Sequence, residues 1–578
     1  MLKKLVNKDT EVLLKEQDFR ITSKKKSSAS EYFLFQSNAI NQLRTALDNP
    51  LFYPNFILTG TEGTGKRSGI LSLLNKEYSQ KRPHKQFYYS RRNGTVLSNP
   101  KNLEGLSPLF DPEIKEAPII YDPTPSTMSL VGIPTEKKYH PGNLVKSCGG
   151  FLILPIFRLV TDSNAYDVLK SCLLNHSIDF INLPELSFFQ DLDRTLPKFP
   201  LDTRVILIGE EYYFEQLIKK DPGIGDIFKL KIDLEFEAEL NKTNLHKFSI
   251  LLDSLTVSEY PSINSSGKKR MMEEALLLND SKSKFTLNIS DLKSIYEEAM
   301  VKFKNKKSLG YDEIDKAIEI INHRFSMPKR KYHEDLKNGI YNLSLSGHRL
   351  GRINALSILT PFSTYQEFGQ VNVISSRALM GSGNFINIER EVNLSGDVHD
   401  KGVFILQSFL KGLFANFPTL GVDISILFEQ SHSLVDGDSA TVAELLATLS
   451  ALSEILIPCN IAITGSMSQY GEVMPVGAIN QKIGAWSEII EILGNKKDIY
   501  KVYIPDSNRK DIILPRDARK LVQSSRMEIL AYSHVSEVVS DIMGVPFGKI
   551  EKDGKYSLNS VLRNIEDKLE KREKVSSG

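Results

Sequence analysis

A glycine-rich turn between a predicted strand and a predicted helix strongly constrains the first part of this 578-residue chain. The segment Asn55–Ser68 starts with an apolar run, passes through the turn and continues with helical character. Gly60, Gly65 and Lys66 match the pattern G-x-x-x-x-G-K, in which backbone N–H groups and a lysine hold phosphate at a helix N-terminus. Arg67 stands where a Ser or Thr would bind Mg²⁺. The turn is therefore compatible with ATP binding, whereas hydrolysis is not expected.

A lysine inside an apolar helical stripe is the main indication of chemistry in the second half. Within Gly477–Leu493, apolar residues recur at helical spacing, and Lys482 falls inside their stripe. Burial would lower the pKa of this lysine and make a neutral amine available as a base near neutral pH. The alternative is a lysine that extends its charged end to solvent. The predicted polar face of this helix consists of Asn480, Gly484, Ser487 and Glu491.

Ser439 lies directly before another predicted helix, which carries Val442, Leu446 and Leu449 at helical spacing. A serine in such a turn commonly serves as an N-cap. The catalytic alternative requires a neighbouring amine that removes the hydroxyl proton and backbone N–H groups that hold a developing oxyanion. The helix start and Lys482 together would supply these parts.

The surroundings of both residues resemble a known family. The stretches FEQSHSLVDGDSATVAELLATLSAL and NIAITGSMSQYGEVMPVGAINQKIGAW closely resemble the proteolytic domain of Lon proteases, which use a Ser–Lys dyad. Aspartates three and one positions before the serine are more similar to the Lon-B branch than to the common bacterial Lon. The resemblance covers residues 336–545 and is specific in its motifs.

The resemblance implies a role for each matching residue. Ser439 corresponds to the nucleophile and Lys482 to the general base, while Asp436, Asp438 and Thr464 correspond to positions that shape the dyad and its surroundings. A rival mechanism is a Ser–His–Asp triad through His432, which precedes the serine by seven positions. No His or Cys pair has metal-ligand spacing, so no metal site is predicted.

The first half resembles the Lon-B ATPase module but lacks several of its parts. The strand that should end in a pair of acidic residues ends instead in Pro155 and Ile156. Glu210 stands at the usual polar sensor position, and no arginine occurs between Glu210 and Asn241 to act as an arginine finger. We interpret this region as an AAA+-like α/β module retained for its shape.

The predicted fold class is a multidomain α/β plus α+β chain, an AAA+-like α/β module with a helical subdomain followed by a Lon-type proteolytic domain. A basic linker is predicted near Arg20–Ser28. The predicted domains are an N-terminal segment and linker (1–35), a degenerate AAA+-like α/β domain (36–240), a helical domain (241–335), the proteolytic domain (336–545) and a charged helix with a tail (546–578).

Composition limits the partners and the compartment. The chain has 73 basic and 71 acidic residues, so no overall charge favours nucleic acid or an anionic membrane. Its apolar runs are shorter than a membrane helix requires. Cys148, Cys172 and Cys459 are odd in number and far apart, which indicates buried thiols in a reducing cytoplasm.

The sequence therefore predicts a cytoplasmic serine endopeptidase of Lon type that cleaves unfolded or damaged proteins without ATP-driven unfolding. The resemblance implies a homo-hexameric ring that encloses the active sites. Two alternatives remain open. One is an ATP-dependent unfoldase-protease, and the other is a dormant ring that serves as a scaffold or holds substrates.

Overall fold

The computed structural model separates the chain into two compact units, which are described individually. The carboxy-terminal unit contains Met1–Leu14, Met272–Phe285 and Ile318–Gly578, and the amino-terminal unit contains Lys15–Met271 and Thr286–Ala317. The predicted linker and His432 lie outside the described residues. The structure describes residues 2–6, 9–12, 14–19, 31–79, 87–90, 96–98, 106–108, 116–134, 139–180, 198–256, 259–324, 326–359, 367–417, 421–429 and 434–576.

The strands and helices are numbered in chain order. The strands are β1 (Lys3–Lys4), β2 (Phe56–Thr59), β3 (Phe87–Ser90), β4 (Val96–Ser98), β5 (Leu106–Pro108), β6 (Ile119–Tyr121), β7 (Gly132–Pro134), β8 (Tyr139–Pro141), β9 (Phe151–Pro155), β10 (Ser177–Ile178), β11 (Phe199–Pro200), β12 (Arg204–Gly209), β13 (Leu230–Asp233), β14 (Glu237–Glu239), β15 (Ser262–Ile263), β16 (Lys284–Thr286), β17 (Ser308–Leu309), β18 (His348–Arg349), β19 (Arg352–Leu359), β20 (Phe368–Met380), β21 (Phe385–Asn387), β22 (Val422–Glu429), β23 (Ile457–Pro458), β24 (Ile461–Ile463), β25 (Ser466–Met467), β26 (Val473–Met474), β27 (Tyr500–Pro505) and β28 (Met527–Tyr532). The helices are α1 (Ser37–Asp48), α2 (Lys66–Glu77), α3 (Thr127–Val131), α4 (Asn143–Lys146), α5 (Ile156–Thr161), α6 (Ser163–Leu174), α7 (Glu211–Lys220), α8 (Ile224–Ile227), α9 (Lys242–Leu255), α10 (Ser265–Leu278), α11 (Ile289–Lys302), α12 (Tyr311–Arg324), α13 (Met327–Lys337), α14 (Ile388–Glu391), α15 (Asp397–Leu413), α16 (Thr441–Ser453), α17 (Ile479–Leu493), α18 (Arg516–Gln523), α19 (Val535–Met543) and α20 (Val561–Ser576).

The amino-terminal unit is built around a five-stranded parallel sheet with the order β13-β2-β12-β9-β6. Leu152 and Leu154 of β9 belong to one buried apolar cluster, and Phe151 and Ile153 belong to another. Because alternate residues of a strand face opposite sides, both faces of this sheet are covered, as is usual for parallel sheets. The predicted α/β character of this region is confirmed, and the glycine-rich turn joins β2 to α2 as expected.

The carboxy-terminal unit contains an eight-stranded mixed sheet with the order β1-β28-β27-β24-β19-β20-β22-β21. Ile461 and Ile463 of β24 pack in the same apolar cluster as α16, whereas Ala462 packs in the cluster that contains residues of α17. The helix that follows Ser439 and the helix that carries Lys482 therefore lie on opposite faces of the sheet. The turn of Ser439 and the side chain of Lys482 both contact Thr464, directly after β24.

The predicted polar face of α17 is wrong. Of its four members only Glu491 is exposed, whereas Asn480, Gly484 and Ser487 are buried. The amide of Asn480 makes hydrogen bonds within the protein, including one accepted from Ile513 N at 2.7 Å, and Ser487 Oγ donates to Gly484 O at 2.6 Å. Periodicity classifies these residues as polar, but internal hydrogen bonds allow them to be buried.

Two further expectations concern thiols and apolar helices. Cys148, Cys172 and Cys459 are all buried and unbridged, as predicted, and burial raises the pKa of Cys172 to about 12. The carboxy-terminal helix α20 buries Val561 and Leu569 against the core. Among the described helices, none combines the length and the apolar character needed to cross a membrane.

Candidate active site

Ser439 lies in the turn that leads into α16 and is partly exposed. This turn passes through Gly437 in the left-handed region, with φ of 92°, where a residue without a side chain is unstrained. Ala440, not Ser439, occupies the N-cap position of α16, and no side chain caps the helix. The N-cap interpretation of Ser439 is therefore wrong, and its hydroxyl forms no hydrogen bond in the described part of the chain.

The residues after β24 fix the position of the serine turn. Gly465 N donates to Ser439 O at 2.8 Å, and Val442 N donates to Gly465 O at 3.1 Å. Thr464 Oγ1 also donates to Ser439 O, at 3.2 Å. A side chain at Gly465 would collide with Tyr532, because an added Cβ would lie 2.4 Å from its hydroxyl oxygen. The serine turn is thus tied to the end of a central strand and not free to move as a loop.

Lys482 is buried, with 3% of its surface exposed, and does not reach solvent as the alternative reading required. Its Nζ makes a long contact of 3.5 Å with Thr464 Oγ1. Burial lowers the pKa of Lys482 to about 8, while the negative charges of Asp280 and Asp438 act in the opposite direction. Lys482 is therefore far more readily deprotonated than a lysine in water, and about a tenth of it is a neutral amine at pH 7.

The two predicted aspartates occupy different places. Asp438 Oδ2 accepts a hydrogen bond from Ser466 Oγ at 2.7 Å, and its charge acts on Lys482. Asp436 is exposed, and its Oδ1 accepts from Gly437 N at 2.8 Å within its own turn. Asp438 therefore belongs to the surroundings of the lysine, whereas Asp436 shapes the turn before Ser439.

The structure brings Ser439, Lys482, Thr464 and Asp438 into one constellation. Thr464 connects the two main candidates, because its hydroxyl contacts Lys482 Nζ and donates to Ser439 O. Ser439 Oγ and Lys482 Nζ do not share a direct hydrogen bond among the described residues. The arrangement offers a hydroxyl, a partly neutral amine and a helix start, which are the parts required for nucleophilic attack on a carbonyl.

Sequence reasoning missed a buried ion pair beside the serine helix. His399 Nε2 and Glu444 Oε1 are 2.9 Å apart, with side chains only 1% and 0% exposed. Ser395 Oγ lies 2.8 Å from His399 Nδ1. Burial alone would lower the pKa of His399, but its hydrogen bond to Glu444 and that residue's charge raise it above its usual value. A histidine and a glutamate 45 positions apart gave no sequence signal of this pair.

We expect His399→Ala to reduce the free energy of unfolding by about 3–5 kcal/mol, because Glu444 would be left as an unpaired buried charge. With a raised folded-state pKa, the imidazolium contributes stability below its unfolded pKa and loses that contribution as pH rises through the folded value. Urea unfolding on both sides of neutral pH measures both effects. The control is His348→Ala, which removes an exposed histidine of the same unit. Equal stabilities of the two variants would contradict the prediction.

Two side chains of the amino-terminal unit make hydrogen bonds to its glycine-rich turn. Lys66 Nζ donates to Gly60 O at 2.5 Å and to Thr61 O at 2.6 Å, so the lysine folds back onto its own turn. Glu62 N donates to Glu210 Oε1 at 3.0 Å, which places a carboxylate against a turn that would hold phosphate. Burial lowers the pKa of Lys66, opposed by the charges of Glu210 and Glu62. Gly65 has the left-handed φ of 78° that such a turn requires.

Two positions that would serve Mg²⁺ in this motif carry other kinds of residue. The guanidinium of Arg67 lies 5.3 Å from the ring centre of Tyr121. Ile156, which follows β9, is fully buried, and an added Cβ at Gly209 would lie 3.0 Å from its Cβ. The end of β9 is therefore apolar where acidic residues would bind Mg²⁺ and orient water. Arg67, Pro155 and Ile156 therefore lack the side-chain oxygens with which this motif would hold Mg²⁺.

Comparisons with known proteins match both halves of the chain. A model described as LonB-like, AAA domain matches residues 115–235, and a model of the Lon protease (S16) C-terminal proteolytic domain matches residues 414–544. A putative Lon protease homolog from Escherichia coli (strain K12) is 26% identical over 406 residues, which cover 69% of this chain and 67% of the relative. A putative Lon protease homolog from Haemophilus influenzae is 26% identical over 440 residues, or 75% of this chain and 71% of the relative. An archaeal Lon protease from Methanocaldococcus jannaschii is 25% identical over 353 residues, which cover 54% of this chain and 49% of the relative.

Proposed function

We propose that this chain, a member of the Lon-type protease family, is a serine endopeptidase that uses Ser439 as nucleophile and Lys482 as general base. The observation that carries the proposal is the buried amine of Lys482, which contacts Thr464 at 3.5 Å while Thr464 is bound to Ser439 O. A buried lysine whose pKa is lowered to about 8 is suited to accept a proton near neutral pH.

In the proposed reaction, neutral Lys482 accepts the hydroxyl proton of Ser439 as Ser439 Oγ attacks the peptide carbonyl carbon. The described residues show no hydrogen bond between the hydroxyl and the amine, and such catalytic hydrogen bonds often form only when substrate is bound. The carbonyl oxygen becomes an oxyanion beside the start of α16, where the N–H groups of Ser439 and Ala440 donate to no other described residue. Protonated Lys482 then gives its proton to the departing amine, and water hydrolyses the acyl-enzyme.

The proposed substrates are unfolded or damaged proteins, and the proposed assembly is a homo-hexameric ring. Support for unfolded substrates comes from the amino-terminal unit. Lys66 and Glu210 make hydrogen bonds to its glycine-rich turn, and the neighbouring strand β9 ends at Pro155, which Ile156 follows. Without ATP hydrolysis, no energy source is available to unfold a stable substrate. The ring is carried over from the family resemblance.

The second candidate is a dormant ring that binds proteins without cutting them. The amino-terminal unit favours it, because Arg67, Pro155 and Ile156 stand where groups for ATP hydrolysis would be, so one reaction site of the chain lacks residues its chemistry needs. Incubation of the purified protein with an unfolded casein-like substrate, beside Ser439→Ala, separates the two candidates. Cleavage by the wild-type chain alone supports the protease, whereas binding without cleavage supports the dormant ring.

We expect cleavage of the unfolded substrate to proceed at the same rate with and without ATP and Mg²⁺, and stably folded proteins to remain intact. The reason is that Pro155 and Ile156 stand where the acidic residues that orient water for ATP hydrolysis would be. Phosphate release is measured in parallel, with Lys66→Ala as the matched variant. ATP hydrolysis that disappears in Lys66→Ala would show a working ATPase and contradict the prediction, whereas nucleotide binding without turnover would not.

A further inference from the structure

A distant aspartate caps the helix that carries Lys482. Asp280 Oδ2 accepts from Ile479 N at 2.8 Å, and its Oδ1 accepts from Asn480 N at 3.1 Å and from Asn480 Nδ2 at 2.8 Å. The N-cap residue of α17 is Ala478, which has no side-chain oxygen to do this. Asp280 therefore takes the place of an N-cap residue from 199 positions away in the sequence.

The backbone at Asp280 presents its carboxylate to the helix. Asp280 has φ of 48°, in the left-handed region that Asp and Asn tolerate better than most residues. It lies in the turn between α10 and β16, within the carboxy-terminal unit. A partly buried carboxylate that receives three hydrogen bonds from one helix end is held in a single orientation.

The same carboxylate acts on Lys482, which lies in the first turn of α17. Lys482 N donates to Ala478 O at 3.0 Å, so the lysine backbone belongs to the turn that Asp280 caps. Asp280 and Asp438 are the charged groups that act on the Lys482 ammonium, and Asp511 in turn acts on Asp280. Asp280 thus caps the helical turn that carries Lys482, and its negative charge favours the ammonium form of that lysine.

Other charged groups around α17 are engaged in ion pairs of their own. Lys329 and His333 pair with Glu488, and Arg526 pairs with Glu491, towards the carboxyl end of the helix. On α18, Lys520 pairs with Asp517 and Arg519 lies 3.8 Å from Glu11. Arg352 of β19 lies near Glu429, and Lys501 of β27 lies near Asp541.

We propose that Asp280 is a positioning residue for proteolysis, which fixes the start of α17 and stabilises the ammonium that Lys482 forms when it accepts the serine proton. The inference rests on the proposed function of Lys482 as the general base. It deepens that function by adding a carboxylate from a turn outside residues 336–545. Removal of the charge should make the lysine a weaker base, because its ammonium loses a stabilising partner.

The test uses the full chain and two neutral variants, Asp280→Asn and Asp280→Ser, which both keep an oxygen that can accept from the helix end. Glu491→Gln is the matched control, because it removes one negative charge from an exposed position of the same helix. The first readout is the pH profile of casein-like peptide cleavage. The second is the pH dependence of Trp486 emission in a Ser439→Ala background, since Trp486 is the one tryptophan of the chain and lies one turn after Lys482.

In both Asp280 variants we expect the acidic limb of the activity profile and the Trp486 midpoint to move to lower pH by about 0.5 unit or more. Neither should move in Glu491→Gln. A shift only in thermal stability, with both midpoints unchanged, would make Asp280 a purely structural cap and overturn the proposal. Unfolding of both neutral variants while the control folds would overturn it in the same way.

The emission readout also separates this proposal from the proposed function. It reports the titration of Lys482 whether or not Lys482 serves as base, and a Lys482→Met variant identifies any emission change that has another origin. If Ser439→Ala retained activity while the Asp280 variants still moved the emission midpoint, the proposed dyad would fail and the influence of Asp280 on Lys482 would stand.

Discussion

Ser439→Ala should abolish cleavage of unfolded polypeptides, with a loss of about 10⁴-fold or more relative to the wild-type chain. The substitution removes the oxygen that is proposed to attack the peptide carbonyl, and no other nucleophile is proposed for this site. The folded state should be little affected, because the hydroxyl forms no hydrogen bond among the described residues and Ala440 is the N-cap. We expect the free energy of unfolding to change by less than about 0.5 kcal/mol.

The matched control is Ser346→Ala, which removes an exposed hydroxyl from a turn of the same unit. Casein-like substrate cleavage, followed by gel electrophoresis and by a fluorescent peptide, measures activity, and urea unfolding measures stability. Near-wild-type activity in Ser439→Ala would eliminate Ser439 as the nucleophile, and with it both the proposed dyad and the alternative triad through His432. A large loss of stability would instead mean that the hydroxyl supports the fold.

Local patterns in the sequence were sufficient to predict the elements that carry the candidate site. The apolar spacing before and after Ser439 and around Lys482 corresponds to α16 and α17, and the glycine-rich turn corresponds to the junction of β2 and α2. These are short-range features, in which the period of apolar residues follows directly from helix or strand geometry. Their assembly near Thr464 was expected from the family resemblance, because periodicity does not indicate which helices meet.

Contacts between distant segments were not predictable in this way. Asp280 reaches the amide groups of Ile479 and Asn480 across 199 positions, and an Asp in a turn gives no sign of its partner. The strand β1 contains only Lys3 and Lys4, which pair with Ala531 and Leu530 of β28. Two lysines have no apolar alternation, so the sequence assigned them to an N-terminal segment without a strand. Both cases depend on where hydrogen-bond partners lie in space.

The error at the polar face of α17 has a related cause. A pattern based on hydropathy treats Asn480 as a residue that prefers water, whereas the folded chain supplies it with backbone and carboxylate partners. The same reasoning explains why Lys482 was a better guide to the site than Asn480. A buried amide can be satisfied by hydrogen bonds alone, but a buried ammonium must also lose its hydration, which changes its pKa.

Lys482→Arg should be nearly inactive, because a guanidinium remains protonated in the accessible pH range and cannot accept the serine proton. Wild-type activity should rise with pH along a single ionisation near pH 8, since the neutral amine is the active form and burial lowers the pKa of Lys482 to about 8. The contrast is with a free lysine, whose pKa is about 10.4. Initial rates of peptide cleavage across this range measure the profile.

Lys482→Met provides the matched variant, because it keeps a chain of similar length without a titrating group. It should be as inactive as the arginine variant yet more stable than the wild type below pH 8, since the folded wild-type chain must bury an amine that the unfolded chain leaves in water. In a Ser439→Ala background, the Trp486 emission midpoint should coincide with the activity midpoint of the wild type and be absent in Lys482→Met. Substantial activity in Lys482→Arg, or a lysine that titrates as in water, would mean that Lys482 is a structural residue and that the base must be sought elsewhere.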